Sequence, residues 1–125
     1  MGKLFYEPTV LTEVTPNCAM YHEEIFGPVA AFYRFKNENE AIQMANDTPY
    51  GLAAYFYSSD IDKIRRVSEA LEAGSVGINT TSIFAETAPF GGYKESGLGR
   101  EGGVVDSLES YCEIKTIAAG LVHSY

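Results

Sequence analysis

The 125-residue sequence is poor in cysteine, histidine and positive charge, and each shortage removes a class of function. Two cysteines, Cys18 and Cys112, are too few for a secreted disulfide framework, and neither sits in a CxxC or Cys/His pair of zinc-binding spacing. Both read as free, reduced thiols. The only histidines are His22 and His123, and the run His22-Glu23-Glu24 has no second histidine four residues on, so no metal site is expected. Lys and Arg number 9 against 17 Asp and Glu, and the resulting net charge of -8 repels polyanions. Nucleic acid and anionic membrane surfaces are therefore not expected partners. No apolar run approaches the roughly 18 residues of a membrane span, and residues 1–20 lack the basic start and apolar middle of a signal peptide. The expected location is cytoplasmic.

What is present suits a globular protein. Hydrophobic residues make up 46% and charged residues 21%, and a chain of this length buries roughly two-thirds of its unfolded surface as one unit. Helical and strand patterns alternate, the mark of an α/β layer. Strands are expected over residues 4–14 and 25–35. Asn37 and Glu40 have the spacing of a capping pair, with Ala41, Ile42, Met44 and Ala45 as an apolar face before Pro49 and Gly51 end the helix. Residues 52–57 form a compact apolar run, suited to a strand buried on both faces. Ser59 and Asp62 could cap a second helix whose Ile61, Ile64, Val67 and Leu71 recur near the helical period, and Gly74 fits a left-handed stop. Val76-Gly77-Ile78 reads as a short buried strand. A long glycine-rich stretch over residues 79–103 follows, then a short helix over 104–111 and a terminal strand over 113–121.

The glycine-rich stretch matches a dinucleotide fingerprint by letter only. Gly97-Leu98-Gly99-Arg100-Glu101-Gly102 has the G-x-G-x-x-G spacing, yet Tyr93-Lys94-Glu95-Ser96 before it is no apolar strand. About 20 residues on, where a ribose-binding acid belongs, stand Ile117, Ala118, Ala119 and Gly120. A glycine-rich turn is the better reading. No G-x-S-x-G elbow surrounds Ser75 or Ser96, and no GxxxxGK[ST] phosphate loop occurs. The chain holds no self-contained active site.

Two segments carry a specific resemblance. Glu23-Glu24-Ile25-Phe26-Gly27-Pro28-Val29 and Pro89-Phe90-Gly91-Gly92-Tyr93-Lys94-Glu95-Ser96-Gly97 resemble the two motifs that mark the last third of the NAD(P)-dependent aldehyde dehydrogenase superfamily. Between them, Ala45-Asn46-Asp47-Thr48-Pro49-Tyr50-Gly51-Leu52-Ala53 is similar to the family's helix-to-strand passage. The likeness runs from Phe5 to about Leu121, with succinate-semialdehyde dehydrogenases as the nearest subgroup. It implies the C-terminal part of an α/β catalytic domain, with helices layered on a mostly parallel sheet, over residues 1–108. Residues 109–125 would be an oligomerisation strand and tail that extends a neighbouring subunit's sheet, giving a homo-oligomer. The start at Met1-Gly2-Lys3, directly inside the family's Phe-Tyr-x-Pro-Thr-Val pattern, points to a truncated piece.

In the family, a cysteine thiolate attacks the aldehyde, hydride passes to the nicotinamide, and a water activated by a glutamate hydrolyses the thioester. Both residues lie upstream of this segment, and neither Cys18 nor Cys112 has the matching context, so no catalytic residue is expected here. By resemblance, Glu24 would accept hydrogen bonds from the two hydroxyls of the nicotinamide ribose, which suits a group with two acceptor oxygens and no donor. Phe26 would pack beside the nicotinamide, and Phe84 and Phe90 would line the aldehyde channel. Taken without the family, Glu24 is a solvated carboxylate and the phenylalanines are core. NAD or NADP would serve the full-length enzyme and would not bind this segment tightly alone. Two other functions stay open: an assembly module that pairs with a full-length dehydrogenase, and a small-molecule binder that has kept a pocket wall without the chemistry.

Overall fold

The computed structural model describes residues 4–103 and 106–120, which fall into two compact units. The first comprises Met1–Pro49 with Ser59–Glu72, and the second Tyr50–Ser58 with Ala73–Tyr125.

In the first unit, strand β1 (Thr9–Leu11) pairs in parallel with β2 (Val29–Ala31), and the connection between them holds the short helix α1 (Ala19–His22). Parallel neighbours need such a crossover, because a tight turn can only reverse the chain. Both strands are shorter than the apolar stretches that contain them, since pairing is confined to Thr9↔Val29 through Leu11↔Ala31. Helix α2 (Glu38–Asn46) begins where the Asn37 side chain accepts from the Glu40 amide at 3.0 Å. The reciprocal arm of the cap is displaced by one residue: Glu40 Oε2 accepts from the Lys36 amide at 2.6 Å, not from Asn37.

Helix α3 (Ile61–Ala70) corrects two expectations. Its N-cap is Asp60 rather than Ser59, and Asp60 Oδ1 accepts from the amides of Asp62 and Lys63 at 3.0 and 3.1 Å. A carboxylate satisfies two first-turn amides at once and complements the helix dipole, advantages that a serine hydroxyl lacks. At the other end the chain leaves through an extended Leu71, and Gly74 is not left-handed. The amide of Asn46, at the end of α2, closes α3: its Nδ2 donates to Ala70 O at 2.8 Å, and its Oδ1 accepts from Glu72 N at 2.9 Å. Arg66 grips Glu38 through two parallel bonds of 3.1 and 3.2 Å, joining the two helices near the start of α2. That ion pair holds the Glu38 carboxyl below its ordinary range and the guanidinium above its own. Beneath α2 lies a cavity of about 350 Å³ lined by Tyr21, Tyr33, Phe35, Met44 and Asp47. Tyr21 Oη donates to Asp47 Oδ2 at 2.9 Å, and this bond raises the tyrosine above its usual titration range.

In the second unit, β4 (Ala53–Phe56) pairs in parallel with β5 (Ser75–Ile78). β3 (Tyr50–Gly51) pairs antiparallel with β7 (Tyr93–Lys94), and β6 (Pro89–Phe90) antiparallel with β8 (Glu101–Gly102). The one mostly parallel sheet expected from the sequence is thus, among the described residues, four two-stranded ladders, two of each sense. Nor is the apolar run at residues 52–57 buried on both faces: β4 alternates exposed and half-buried positions, and Tyr55 is 46% exposed. Among the described residues β5 is the one strand paired with β4. Gly74 has a different role from the one expected, for a Cβ there would overlap the carbonyl oxygen of Gly91. Helix α4 is described over Asp106–Glu109, and residues 104 and 105 of the expected helix lie outside the described set. Residues 113–120 carry no regular element, and Leu121, the end of the expected terminal strand, also lies outside.

No large apolar side chain among the described residues is fully buried, and the buried positions are the glycines 51, 77 and 92. The elements are formed, and their apolar faces are largely uncovered.

Candidate functional site

The Glu-Glu motif lies on the turn that links α1 to β2. Helix α1 ends at Glu23, whose amide bonds back to Ala19 O, and its extended backbone sends the chain outward. Glu24 follows on this outward path and is exposed, as is Phe26, whose ring is 95% accessible. An apolar groove of about 740 Å³ opens here, walled by Phe5, Tyr6, Met20, Ile25, Phe26 and Pro28. One turn therefore presents a solvated carboxylate two residues from an aromatic wall. An ionised carboxylate in that position can accept from hydroxyls, and a flat ring can pack against an aromatic face.

The other two expected residues meet in the second unit. Phe84 and Phe90 have ring centroids 5.3 Å apart at an interplanar angle of 40°. Phe90 is fixed by the β6–β8 pairing with Glu101, whereas Phe84 sits in the loop over residues 80–88 and is 74% exposed. Neither is a filled-core phenylalanine.

Glycine geometry around residues 89–103 explains the false fingerprint. Gly97, Gly99 and Gly102 all have positive φ, at 132°, 77° and 70°. Gly97 and Gly99 lie in the turn between β7 and β8 and Gly102 within β8, so among the described residues the glycines lead into a strand and not into a helix that would aim amides at a pyrophosphate. Arg100 staples this loop, donating from Nη1 to Gly92 O at 3.1 Å and Gly99 O at 2.8 Å while its guanidinium lies 5.4 Å from the Tyr93 ring centroid. Ser96 Oγ accepts from the Gly51 amide at 2.9 Å and pins the loop to β3. Sequence reading missed both contacts, because a polar residue in a long loop gives no periodic signal of its partner.

The thiols are placed apart from these features. Cys18 is the half-buried N-cap of α1, 3.9 Å from Thr15 Oγ1, and Cys112 is exposed beyond α4. Among the described residues no group of three or more Cys, His, Asp or Glu could hold a metal ion, and no helix is long and apolar enough to cross a membrane.

Mixed helices and strands, parallel pairs linked through helices, and an exposed acid beside an aromatic groove define one portion of an α/β protein. A profile of the aldehyde dehydrogenase family matches residues 2–117, and the chain belongs to that family of oxidoreductases. It is 55% identical over 120 residues to 3-sulfolactaldehyde dehydrogenase of Pseudomonas putida, covering 96% of this chain and 24% of that protein. It is 53% identical over 120 residues to succinate-semialdehyde dehydrogenase (NADP+) of Escherichia coli strain K12, covering 96% and 25%. The crystal structure of an NADP-dependent enzyme from E. coli superposes with a TM-score of 0.85 at 54% identity, over 94% of this chain and 24% of that one. The chain therefore spans about a quarter of the length of the curated relatives it matches.

Proposed function

We propose that this chain is the C-terminal part of an NAD(P)-dependent aldehyde dehydrogenase that oxidises a short acidic aldehyde of the succinate-semialdehyde type to the carboxylate. Residues 1–108 belong to the catalytic domain and residues 109–125 to an oligomerisation strand and tail. Glu24 and Phe26 form the cofactor-ribose and nicotinamide wall, and Phe84 and Phe90 form part of the aldehyde channel. The nucleophilic cysteine and the glutamate base lie outside the chain. The observation that carries this reading is the family match over residues 2–117 in a chain a quarter the length of its relatives, with the acid and ring of the Glu-Glu motif exposed.

NAD+ or NADP+, when bound, supplies the hydride acceptor. Glu24 holds the ribose so that the nicotinamide faces the aldehyde carbon, and the Phe26 ring limits its swing. Orientation of this kind is a large part of the rate in a bimolecular transfer. Phe84 and Phe90 exclude water from the channel. A phenyl ring offers no donor to a substrate carboxylate, so charge recognition comes from groups outside this chain, and the channel also admits neutral aldehydes. Support for the acidic substrate lies in the names of the two relatives, both of which act on anionic aldehydes.

In the complete enzyme, Glu24→Gln removes one charge-assisted acceptor, worth about 1.5–3 kcal/mol or roughly 10- to 150-fold in affinity. The expected result is a KM for NAD(P)+ raised within that range, with assembly unchanged in sedimentation. An unchanged cofactor KM removes Glu24 from the site.

A further inference from the structure

Asn79 directly follows β5 and begins the loop carrying Phe84, and its geometry is unusual in three respects. Its φ is 56°, in the left-handed region that non-glycine residues seldom enter, although asparagine is among the few that do. Its backbone amide still donates to Phe56 O at 2.9 Å, extending the β4–β5 ladder by one bond. Its side chain then substitutes for the next strand residue: Oδ1 accepts from Ser58 N at 2.8 Å, and Nδ2 donates to Ser58 O at 2.8 Å. The ladder is continued by an amide group while the main chain turns away.

The turn is tight. Thr80 O folds back over β5 so closely that a Cβ on Gly77 would fall 2.8 Å from it. Within the loop, Thr80 Oγ1 accepts from Ser82 N at 3.1 Å and Ala85 O from Ala88 N at 3.0 Å. The far end is anchored by the Phe90↔Glu101 pairing, and the Phe84–Phe90 ring contact spans the neck. The loop is thus fixed at two points, and the Asn79 amide is the nearer one to Phe84 along the chain.

We infer that Asn79 is a positioning residue for aldehyde selectivity: its side-chain clamp on the Ser58 backbone fixes the launch angle of the loop and hence the place of Phe84 in the channel. This inference rests on the channel reading of Phe84 given above. The clamp requires both an acceptor and a donor, which an amide has and a carboxylate lacks. It is also separable from the left-handed turn, because glycine tolerates positive φ without supplying any side chain.

The test uses the complete enzyme that contains this chain, with kcat and KM measured for succinate semialdehyde, a neutral aldehyde and NAD(P)+. Asn79→Gly keeps the turn and deletes the clamp. A loop misplaced by about 1 Å costs up to 100-fold, so its expected effect is a rise of about ten-fold or more in aldehyde KM and a changed ratio of kcat/KM between the two aldehydes. Cofactor KM stays as in the parent. Asn79→Asp keeps the acceptor and sets a carboxylate oxygen against Ser58 O, so it shows the same pattern, which a residue needed only for its turn would not give. A parent-like Asn79→Gly overturns the inference, because it would mean that Asn79 supplies only the turn. Equal losses for both aldehydes and the cofactor, with a lowered melting temperature in both variants, also overturn it in favour of a general structural role. Phe84→Ser separates the layers. If that variant shifts selectivity toward the acidic aldehyde while Asn79→Gly does not, the inference fails and the channel reading stands; if neither shifts it, both fail.

Discussion

Asp60 illustrates how much of this chain's local structure hangs on single side chains. Its carboxylate takes the two first-turn amides of α3, and those bonds hold it below the ordinary aspartate range. A carboxyl whose folded value is lowered contributes stability fully above its unfolded value, near 3.9, and loses it as the pH falls through the lower folded value. Glu38 behaves in the same sense through Arg66. Acid titration should therefore lower the protection factors of the Asp62 and Lys63 amides, taken against their intrinsic exchange at each pH, below about pH 3.9. Asp60→Asn, which caps as well without a charge, should remove that pH dependence at Asp62 and Lys63 while keeping protection at neutral pH, and Asp60→Ala should lose protection at all pH values. Exchange measured residue by residue checks both; an unchanged acid profile in Asp60→Asn would assign the effect to another carboxyl. The Asp60 cap is a residue away from where spacing alone placed it, because Ser59 and Asp60 are both good caps and only the backbone turn decides between them. Asn79 was less legible still. Its role depends on Ser58, a partner 21 positions away that no local pattern names.

Elements whose cause is local were readable from the sequence, and those whose cause is pairing were not. Helices α2 and α3 carry their own caps and apolar periodicity, so their extents came through within a residue or two. The four ladders depend on distant partners, and the longer apolar runs yielded strands of only 2 to 4 residues. The terminal segment is the extreme case. A strand is defined by bonds to a neighbour, and residues 113–120 have none in the described structure, with Ile114 and Ile117 at 89% and 81% exposed. We propose that this segment forms its strand on a second subunit. Removing residues 113–121 from the complete enzyme should lower its sedimentation coefficient to that of a smaller assembly, since subunit contacts built on strand pairing cannot survive loss of the strand. An unaltered assembly would show that the segment does not hold subunits together.

At the scale of the whole chain, large apolar side chains from Leu4 to Ile117 stand exposed, and none among the described residues is fully buried. Surface of that extent suits a portion packed against further protein, and it agrees with a family match that reaches about a quarter of each relative. Glu24, Phe26, Phe84 and Phe90 were named for the candidate site by resemblance; charge and periodicity gave only an acid and three apolar rings. We propose that this chain supplies walls of an aldehyde dehydrogenase site and none of its reacting groups. The most direct test is the formation of reduced cofactor by the purified chain, offered succinate semialdehyde or a neutral aldehyde with NAD+ and with NADP+. No turnover is expected with any pairing. Turnover that disappears on Cys18→Ala or Cys112→Ala would contradict it.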